Sequence, residues 1–395
     1  MNIAVDAREL LGHPTGVGTY LARLLEQWEA MPEARAHRWV LYCPEGGKQK
    51  AEGGSQAEGA RRTAGGGGPQ GESGGRGAEG PGPEPQAGMC EVRKVPGHAG
   101  TWWEQRALAA AMRRDRPDVL FAPGYTAPLA VGVPVVLTVH DVSFFAYPEW
   151  FGRREGLRRR TMTRWSARRA RTILTISEFS KREIVSRLGI PAGRVTVIRP
   201  GVSRPAVPPP VDPRPPMVLF VGSVFNRRRV PDLIRAFARL AADVADARLE
   251  IVGDNRTRPH QDLEALAGSL GIGDRVGVRS YVSGEHLGAL YSTARAFAFL
   301  SEYEGFGLTP LEALAHSVPV VVLDTPVARE VYGDAAIYVQ PGDVTGTAGA
   351  LARLLLDPDA RAAQLRLAQP VLGRYCWPDA ARATLGALEQ AGAGG

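Results

Sequence analysis

The sequence is poor in cysteine and contains no long apolar run. Its three cysteines, Cys43, Cys90 and Cys376, are odd in number and widely spaced, which argues against a disulfide framework or a paired-cysteine metal site. The longest apolar stretches, such as residues 131–139 and 318–323, are far shorter than the ~20 residues of a membrane-spanning helix. No basic leader followed by an apolar core opens the chain, so we expect no signal peptide and a cytoplasmic location.

Outside one segment, the sequence also lacks an excess of either charge. The net charge is +7, and residues 153–171 hold nine arginines against the single acid Glu155. The rest of the chain is therefore close to neutral. A protein that coats nucleic acid more often spreads its basic surface widely, so we expect no nucleic-acid partner.

Three segments of biased composition divide the 395 residues. Residues 46–88 are rich in Gly, Glu, Gln, Pro and Ser, and we expect a disordered surface insertion there because so little apolar surface can be buried. Residues 199–216 contain eight prolines and read as a stiff linker. We therefore predict an N-terminal domain over 1–198, a C-terminal domain over 217–372, and a final segment, 373–395, that could pack back on the first domain.

Between these segments, short apolar strands alternate with helical patterns. In the first domain we predict strands at 3–5, 39–42, 119–121, 135–139 and 172–176, with helices at 20–28 and 104–113. In the second we predict strands at 217–221, 248–252, 276–280, 296–300 and 318–323, with helices at 231–241, 261–270 and 310–315; a last helix covers 377–389. This alternation predicts an α/β protein with two doubly wound domains, whose ligands bind in the cleft at the carboxyl ends of parallel strands.

The segment from Ser301 to Glu312, SEYEGFGLTPLE, follows a predicted strand at this cleft. Its glycines would let backbone N–H groups approach a ligand closely. Thr309 followed by Glu312 matches a capping box, so a helix cap is the structural alternative to a binding role for Glu312. Glu304 has no such structural explanation.

The run from Glu304 to Glu312, with the apolar strand and Asp324-Thr-Pro after it, resembles the Glu-x7-Glu signature of glycosyltransferase family 4. The resemblance implies the GT-B fold and a retaining transferase that uses a sugar nucleotide. It further implies that Glu304 contacts donor sugar hydroxyls and that Glu312 holds the ribose. The backbone of the turn between them would face the sugar and phosphate, through Gly305, Phe306, Gly307 and Leu308.

A second loop, in residues 220–237, is the candidate source of cations for the leaving diphosphate. Developing negative charge on a leaving group needs fixed positive groups nearby. The resemblance assigns this role to Arg227 and Arg228, after a strand-end turn at Gly222 and Ser223. The family typically has a lysine where Arg228 stands, and the two side chains differ in reach and geometry. Solvated surface arginines are the alternative.

In the first domain, Gly16 and Gly18 form a small glycine loop that could bring backbone amides to the distal phosphate, or could be a tight turn. His140 and Asp141 follow a predicted strand, where His140 could donate a hydrogen bond to a sugar hydroxyl; a structural His–Asp pair is the alternative. The family places a sugar-contacting histidine here. Tyr125, in the loop after another strand, and Asp141 would line the acceptor side.

No metal or other cofactor is expected. No strand end carries the Asp-x-Asp pair with which GT-A enzymes hold a divalent ion, so arginines and helix N-termini would neutralise the diphosphate. The resemblance implies transfer with retention, in which the acceptor attacks from the face that the diphosphate leaves.

Residues 153–171 place Leu157, Thr161 and Trp165 along one helix face among the arginines. A basic amphipathic helix on an anionic membrane surface is one interpretation; a solvated helix packed through Trp165 is the other. Membrane contact would suit a lipid-linked acceptor.

We therefore expect a glycosyltransferase that moves a hexose, with mannose from GDP-mannose as first choice, to a polysaccharide or lipid-linked acceptor. The HD…F…PEWF run at 140–151 resembles mannosyl-transferring members and is the reason for that choice. Two alternatives stay open: a GT-B sugar phosphorylase or sugar-nucleotide epimerase, and a non-enzymatic membrane or nucleic-acid adaptor. The absence of lysine from residues 217–395 counts against a pyridoxal-dependent phosphorylase.

Overall fold

The computed structural model describes residues 1–12, 16–46, 88–205 and 214–394. The segment expected to be disordered, residues 46–88, lies almost wholly outside these ranges, as do residues 206–213 of the proline-rich linker. Within them the chain folds into two lobes, each built on one parallel sheet.

The first lobe has a seven-stranded sheet in the described residues, with strand order β3-β2-β1-β4-β5-β6-β7. The strands are β1 Asn2–Asp6, β2 Arg38–Pro44, β3 Cys90–Val95, β4 Val119–Ala122, β5 Val135–Thr138, β6 Thr172–Thr175 and β7 Val195–Val197. The helices are α1 Gly16–Ala30, α2 Pro32–Arg35, α3 Ala109–Asp115, α4 Ser143–Ala146, α5 Arg153–Arg169 and α6 Glu178–Leu188, and a π-helical segment, Trp103–Leu108, runs into α3. The central strands are buried on both faces, as expected for parallel strands covered by crossover helices.

The second lobe repeats the plan with six strands among the described residues, in the order β10-β9-β8-β11-β12-β13. The strands are β8 Met217–Val221, β9 Arg248–Val252, β10 Val276–Arg279, β11 Ala296–Phe299, β12 Val320–Leu323 and β13 Ala336–Val339. The helices are α7 Val230–Asp243, α8 Leu263–Ser269, α9 Gly284–Thr293, α10 Leu308–Ala315, α11 Pro326–Tyr332, α12 Val344–Leu356 and α13 Pro358–Leu372. The prediction of two doubly wound α/β units is confirmed.

The last helix, α14 Trp377–Ala393, leaves the second lobe and packs on the first. Its apolar face joins the core formed by β1, β4 and α1. The Trp28 indole donates a hydrogen bond to the backbone oxygen of Ala381 at 2.9 Å. The chain therefore crosses between the lobes twice, once through the linker and once ahead of α14, and the two crossings touch where Val202 N donates to Tyr375 O at 3.2 Å.

Strand order changes direction between β1 and β4 in the first sheet and between β8 and β11 in the second. Ligands of doubly wound sheets bind in the crevice beside such switch points, at the carboxyl ends of the strands. Gly222 and Ser223 follow β8, and the loop that carries Glu304 follows β11. The fold thus brings both sequence motifs of the second lobe to one place.

Candidate active site

Glu304 lies in the loop between β11 and α10, in contact with the arginine loop. Its Oε1 accepts a hydrogen bond from Arg228 Nε at 2.9 Å and another from Ser301 Oγ at 2.9 Å. The two side chains of the ion pair are each about one-sixth exposed. Among the described residues no protein donor contacts Oε2 of Glu304, so that oxygen can accept a hydrogen bond from a hydroxyl group of a ligand.

Arg228 is held by the backbone as well as by Glu304. Its Nη1 donates to Ser223 O at 2.9 Å, and its guanidinium lies against Gly222, where an added Cβ would collide with Nη1. Gly222 also has a φ of +136°, a conformation that favours glycine. The strand-end turn is therefore shaped to let Arg228 reach the cleft.

Arg227, the preceding residue of the same loop, lies against aromatic rings. Its guanidinium carbon lies 4.3 Å from the ring centre of Phe225 and 5.8 Å from that of Trp150, which belongs to the first lobe. Its Nε is buried and has no hydrogen-bond partner in the part of the chain that the structure describes. Such unpaired buried donors are rare in proteins, so Arg227 retains capacity to bind an anion.

The turn from Gly305 to Leu308 offers backbone N–H groups. Gly307 is the N-cap residue of α10, with a φ of +92°, and its carbonyl oxygen accepts from Tyr332 Oη at 2.8 Å. The N–H groups of Phe306, Gly307 and Leu308 have no protein acceptor within the described ranges. Free N–H groups at the start of a helix form a ready site for a phosphate.

The capping-box interpretation of Thr309 and Glu312 is wrong. The helix begins at Leu308 rather than Pro310, and its N-cap residue, Gly307, has no side-chain cap. Thr309 Oγ1 instead points inward and is buried without a partner among the described residues. The positive φ of Gly307 lets the chain enter the helix two residues earlier than the sequence pattern indicates.

Glu312 is thereby free of any capping role and lies near the middle of α10. Its Oε2 accepts a hydrogen bond from Tyr291 Oη at 3.1 Å. Burial raises the pKa of this carboxyl group, and the Tyr291 hydrogen bond partly offsets that effect. One oxygen of Glu312 remains to accept from a pair of ribose hydroxyls, which is compatible with the role that the resemblance implies.

His140 is the second residue after β5, and it is 9% exposed. Its Nε2 is 2.8 Å from Pro123 O; a carbonyl oxygen can only accept, so Nε2 carries the proton. Burial lowers the pKa of the imidazole, which favours the neutral ring. In that neutral ring Nδ1 is an acceptor, and a contact between His140 and a sugar hydroxyl stays a prediction.

The two lobes meet at the main chain of His140. A Cβ added to Gly305 would overlap the carbonyl oxygen of His140. Ser180 Oγ, from α6 of the first lobe, lies 3.0 Å from His140 O and 3.1 Å from Gly305 O. The loop that carries Glu304 therefore touches the strand end that carries His140.

Tyr125 and Asp141 lie beside His140 in the first lobe. Tyr125 has a φ of +62° and donates to Asp141 Oδ2 at 2.8 Å. Asp141 Oδ1 accepts from the backbone N–H of Ser143 at 2.8 Å. The structure thus brings both residues predicted for the acceptor side into one hydrogen-bonded pair.

Gly16 and Gly18 belong to the first turn of α1, not to the loop before it. An added Cβ at Gly16 would meet nothing within 4 Å, so no close approach of the protein requires glycine at that position. The preceding residues 13–15 lie outside the described ranges.

A cavity of about 300 Å³ opens on the second lobe next to this site, with Trp150 of the first lobe at its edge. Arg227, Arg229 and Glu302 line it from the second lobe, and Trp150 lines it from the first. Arg229 pairs with Glu302, while its neighbour Arg228 pairs with Glu304. Two adjacent arginines therefore pair with two glutamates that are two positions apart, and the Arg229–Glu302 pair lines the cavity.

The arginine-rich segment forms helix α5, which ends at Arg169. Its buried face is made of small residues, Gly156, Thr163, Ser166 and Ala167. Trp165 is 50% exposed and Leu157 61% exposed, so the interpretation that Trp165 packs this helix onto the domain is wrong.

Two kinds of feature are absent from the described residues. No group of three or more His, Cys, Asp or Glu side chains there could hold a metal ion. None of the helices in those ranges has the length and hydrophobicity required to span a bilayer.

Several contacts of the site were missed by the sequence analysis. The Tyr332–Gly307 and Tyr291–Glu312 hydrogen bonds join residues that no short motif links, while the Ser301–Glu304 bond lies within the Glu304 segment itself. Ser177 was detectable as the N-cap of α6, because a serine follows an apolar strand and precedes a helical pattern. Its contact with Gly305 across the cleft has no sequence signal.

Two family models and several curated proteins match this sequence. A model described as Glycosyltransferase Family 4 matches residues 14–204, and one described as Glycosyl transferases group 1 matches residues 207–368. The O-antigen chain mannosyltransferase B of Escherichia coli is 28% identical over 298 residues, which cover 72% of this chain and 77% of the relative. The O-antigen chain mannosyltransferase RfbU of Salmonella typhimurium is 30% identical over 269 residues, 68% of this chain and 73% of the relative.

Among solved structures, Anabaena Alr3699/HepE in complex with UDP and glucose has a TM-score of 0.67 and 18% identity, and the match covers 98% of this chain and 99% of that one. The fold and the comparisons define a glycosyltransferase of the GT-B type. The chain belongs to glycosyltransferase family 4.

Proposed function

We propose that this protein is a retaining transferase that moves a hexose, most readily mannose from GDP-mannose, onto a polysaccharide or lipid-linked acceptor. The 28% and 30% identity to two O-antigen chain mannosyltransferases supports mannose. The HD…F…PEWF run at 140–151 supports the same choice. The Anabaena protein was solved with UDP and glucose, so the base is the part of the proposal that most needs a direct test.

The observation that carries the donor assignment is the cluster at the switch point of the second sheet. It combines a carboxylate oxygen of Glu304, the guanidinium groups of Arg227 and Arg228, and the free N–H groups at the start of α10. The carboxylate suits sugar hydroxyls, and the cationic groups suit a diphosphate. Glu312 would hold the ribose one helical turn away.

In the proposed reaction an acceptor hydroxyl attacks the anomeric carbon from the face that the diphosphate leaves. The new bond joins the acceptor oxygen to that carbon, and the bond between the carbon and the phosphate oxygen breaks. The departing phosphate takes the acceptor proton. Arg227, Arg228 and the α10 N-terminus offset the developing charge, which is the basis for proposing that no divalent metal is needed. The acceptor would approach past Trp150 and the Tyr125–Asp141 pair.

Nucleoside diphosphates should stabilise the folded protein, because a ligand that binds only that state raises its stability by about 2.7 kcal/mol at 100 times its Kd. We expect GDP to raise the melting temperature by several degrees at millimolar concentration, and UDP and ADP to raise it less. Adding EDTA should leave all three shifts unchanged. Differential scanning fluorimetry with the three nucleotides measures this. If none shifts the melting curve, the donor assignment is wrong; if UDP or ADP gives the largest shift, GDP is wrong as the base.

Analysis of the reaction products separates transfer from the related chemistries. Incubation with the sugar nucleotide whose base binds best should release the nucleoside diphosphate. A phosphorylase would leave the sugar nucleotide intact and would yield free sugar phosphate only from a glycan and inorganic phosphate. An epimerase would yield an isomerised donor with no net release of diphosphate. Either product would replace the transferase proposal.

We also propose that α5 contacts an anionic membrane surface. Leu157 and Trp165 are both exposed, and eight arginines surround them along the helix. The protein should sediment with vesicles containing phosphatidylglycerol at low salt and much less at high salt, because screening weakens surface electrostatics. Pure phosphatidylcholine vesicles are the lipid control. A Leu157→Ser, Trp165→Ser variant should bind several-fold more weakly; equal binding would contradict the proposal.

A further inference from the structure

Helix α6 of the first lobe begins where the two lobes touch. Its N-cap residue, Ser177, is fully buried and accepts from Ser180 N at 3.0 Å. Ser177 Oγ also lies 2.6 Å from Gly305 O in the second lobe, so the hydroxyl proton is donated across the cleft. Ser180, also fully buried, contacts the same carbonyl oxygen. One helical turn thus brings two hydroxyl groups to a single carbonyl of the glycine turn, and the one proton of Ser180 is shared between Gly305 O and His140 O.

The remaining free N–H groups at the start of α6 are also satisfied from the other lobe. The carboxylate of Glu330, in α11 of the second lobe, accepts from Glu178 N at 2.7 Å and from Phe179 N at 2.8 Å. A carboxylate at a helix N-terminus is favoured by unpaired N–H groups and by the helix dipole. These bonds exist only while the lobes are together, because their partners are 151 and 152 residues apart in the chain and lie in different lobes.

We propose that Ser177, Ser180 and Glu330 are positioning residues that hold the Glu304–Leu308 turn in its reactive orientation when the lobes close. This inference rests on the proposed function, in which that turn binds the donor sugar and phosphate. The three residues are called the α6 clasp below.

The geometry of the peptide group explains how the clasp acts on the donor. In a trans peptide the C=O and the following N–H point in opposite directions. Pinning Gly305 O toward α6 therefore aims the N–H of Phe306 away from α6. Opening the lobes would release that constraint and expose two α6 N–H groups. The alignment of the donor therefore depends on the closed arrangement of the lobes, whereas the affinity for the nucleotide depends on it much less.

The clasp predicts a loss of turnover with little loss of nucleotide binding. Ser180→Ala and Glu330→Gln should each lower kcat for release of nucleoside diphosphate from the donor by about 10- to 100-fold, because a small misplacement of the turn is costly in a reacting site. The Kd of the nucleoside diphosphate should stay within a few-fold of wild type. Ser180→Thr, which keeps the hydroxyl, should recover most of the turnover. Turnover follows from steady-state kinetics, and Kd from calorimetry.

Amide hydrogen exchange gives a readout that depends on lobe contact. In Glu330→Gln, the peptide containing Glu178 and Phe179 should exchange roughly tenfold faster or more, while the rest of α6 stays as in wild type. Ser186→Ala is the matched control: Ser186 is in the same helix, is exposed, and donates its hydroxyl to Glu183 O within that helix. It should match wild type in every measurement.

The outcomes separate the inference from the proposed function. Wild-type turnover in both Ser180→Ala and Glu330→Gln, or unchanged exchange at Glu178 and Phe179 in Glu330→Gln, would overturn the clasp. If wild type binds no nucleotide, the proposed function fails instead, and the exchange measurement still decides whether Glu330 joins the lobes.

Discussion

Glu304→Gln should lower the release of nucleoside diphosphate from the donor by about 100-fold or more, a loss typical of removing one preorganised group that binds the transition state. The amide keeps the shape of the side chain, but it loses the negative charge that pairs with Arg228 at 2.9 Å and can be shared with sugar hydroxyls. Glu312 and Arg227 remain in place, so nucleoside diphosphate binding should change only a few-fold. Steady-state kinetics and calorimetry measure the two effects.

The matched control is Glu285→Gln, an exposed carboxylate in the first turn of α9. It removes one negative charge from the same lobe and should leave turnover unchanged. If Glu304→Gln keeps a large part of wild-type turnover, Glu304 does not bind the reacting sugar.

Gly305→Ala should abolish most turnover by keeping the lobes apart. The new Cβ would overlap the backbone oxygen of His140, which belongs to the other lobe and cannot move as a side-chain tip can. Gly305 has no positive φ, so alanine fits its backbone conformation and the second lobe should fold normally. We expect a loss of turnover of about 100-fold or more, because a misplacement of about 1 Å in a reacting site can cost that much.

Small-angle X-ray scattering should show a larger radius of gyration for Gly305→Ala than for wild type in the presence of nucleoside diphosphate. Gly349→Ala is the control: it lies in α12, exposed, with nothing within 4 Å of an added Cβ. That change should raise stability by about 0.5–1 kcal/mol and leave turnover intact. A Gly305→Ala protein with wild-type scattering and turnover would show that the lobes do not meet at this residue during the reaction.

The central strands of both sheets were predictable because their signal is local. Five strands are short apolar runs buried on both faces: β1, β4, β5, β8 and β12. Their predicted ends agree with the observed ends to within two residues. β3 and β7 were missed for a physical reason: both lie at the edges of the first sheet, where only part of each strand is buried. β13, at an edge of the second sheet, was missed in the same way.

The loops of the site were also predictable, since strand ends and glycines mark them in the sequence. How the side chains pair was not. The αL conformation of Gly307 displaced the predicted capping box, and the sharing of Arg228 between Ser223 and Glu304 depends on two loops 76 residues apart. Contacts between lobes, such as the one between Ser177 and Gly305, arise from tertiary packing and leave no periodic pattern.

Helix α14 has a consequence for synthesis of the chain. It is translated after both sheets, yet it covers β4, β5 and β6 of the first lobe and receives the indole hydrogen bond of Trp28. The half of the protein that is translated first therefore cannot complete its own core until the whole second lobe has been made. Hybrid enzymes made by exchanging halves at the linker would inherit the same dependence, and each amino-terminal half would need its own α14 to be transplanted with it.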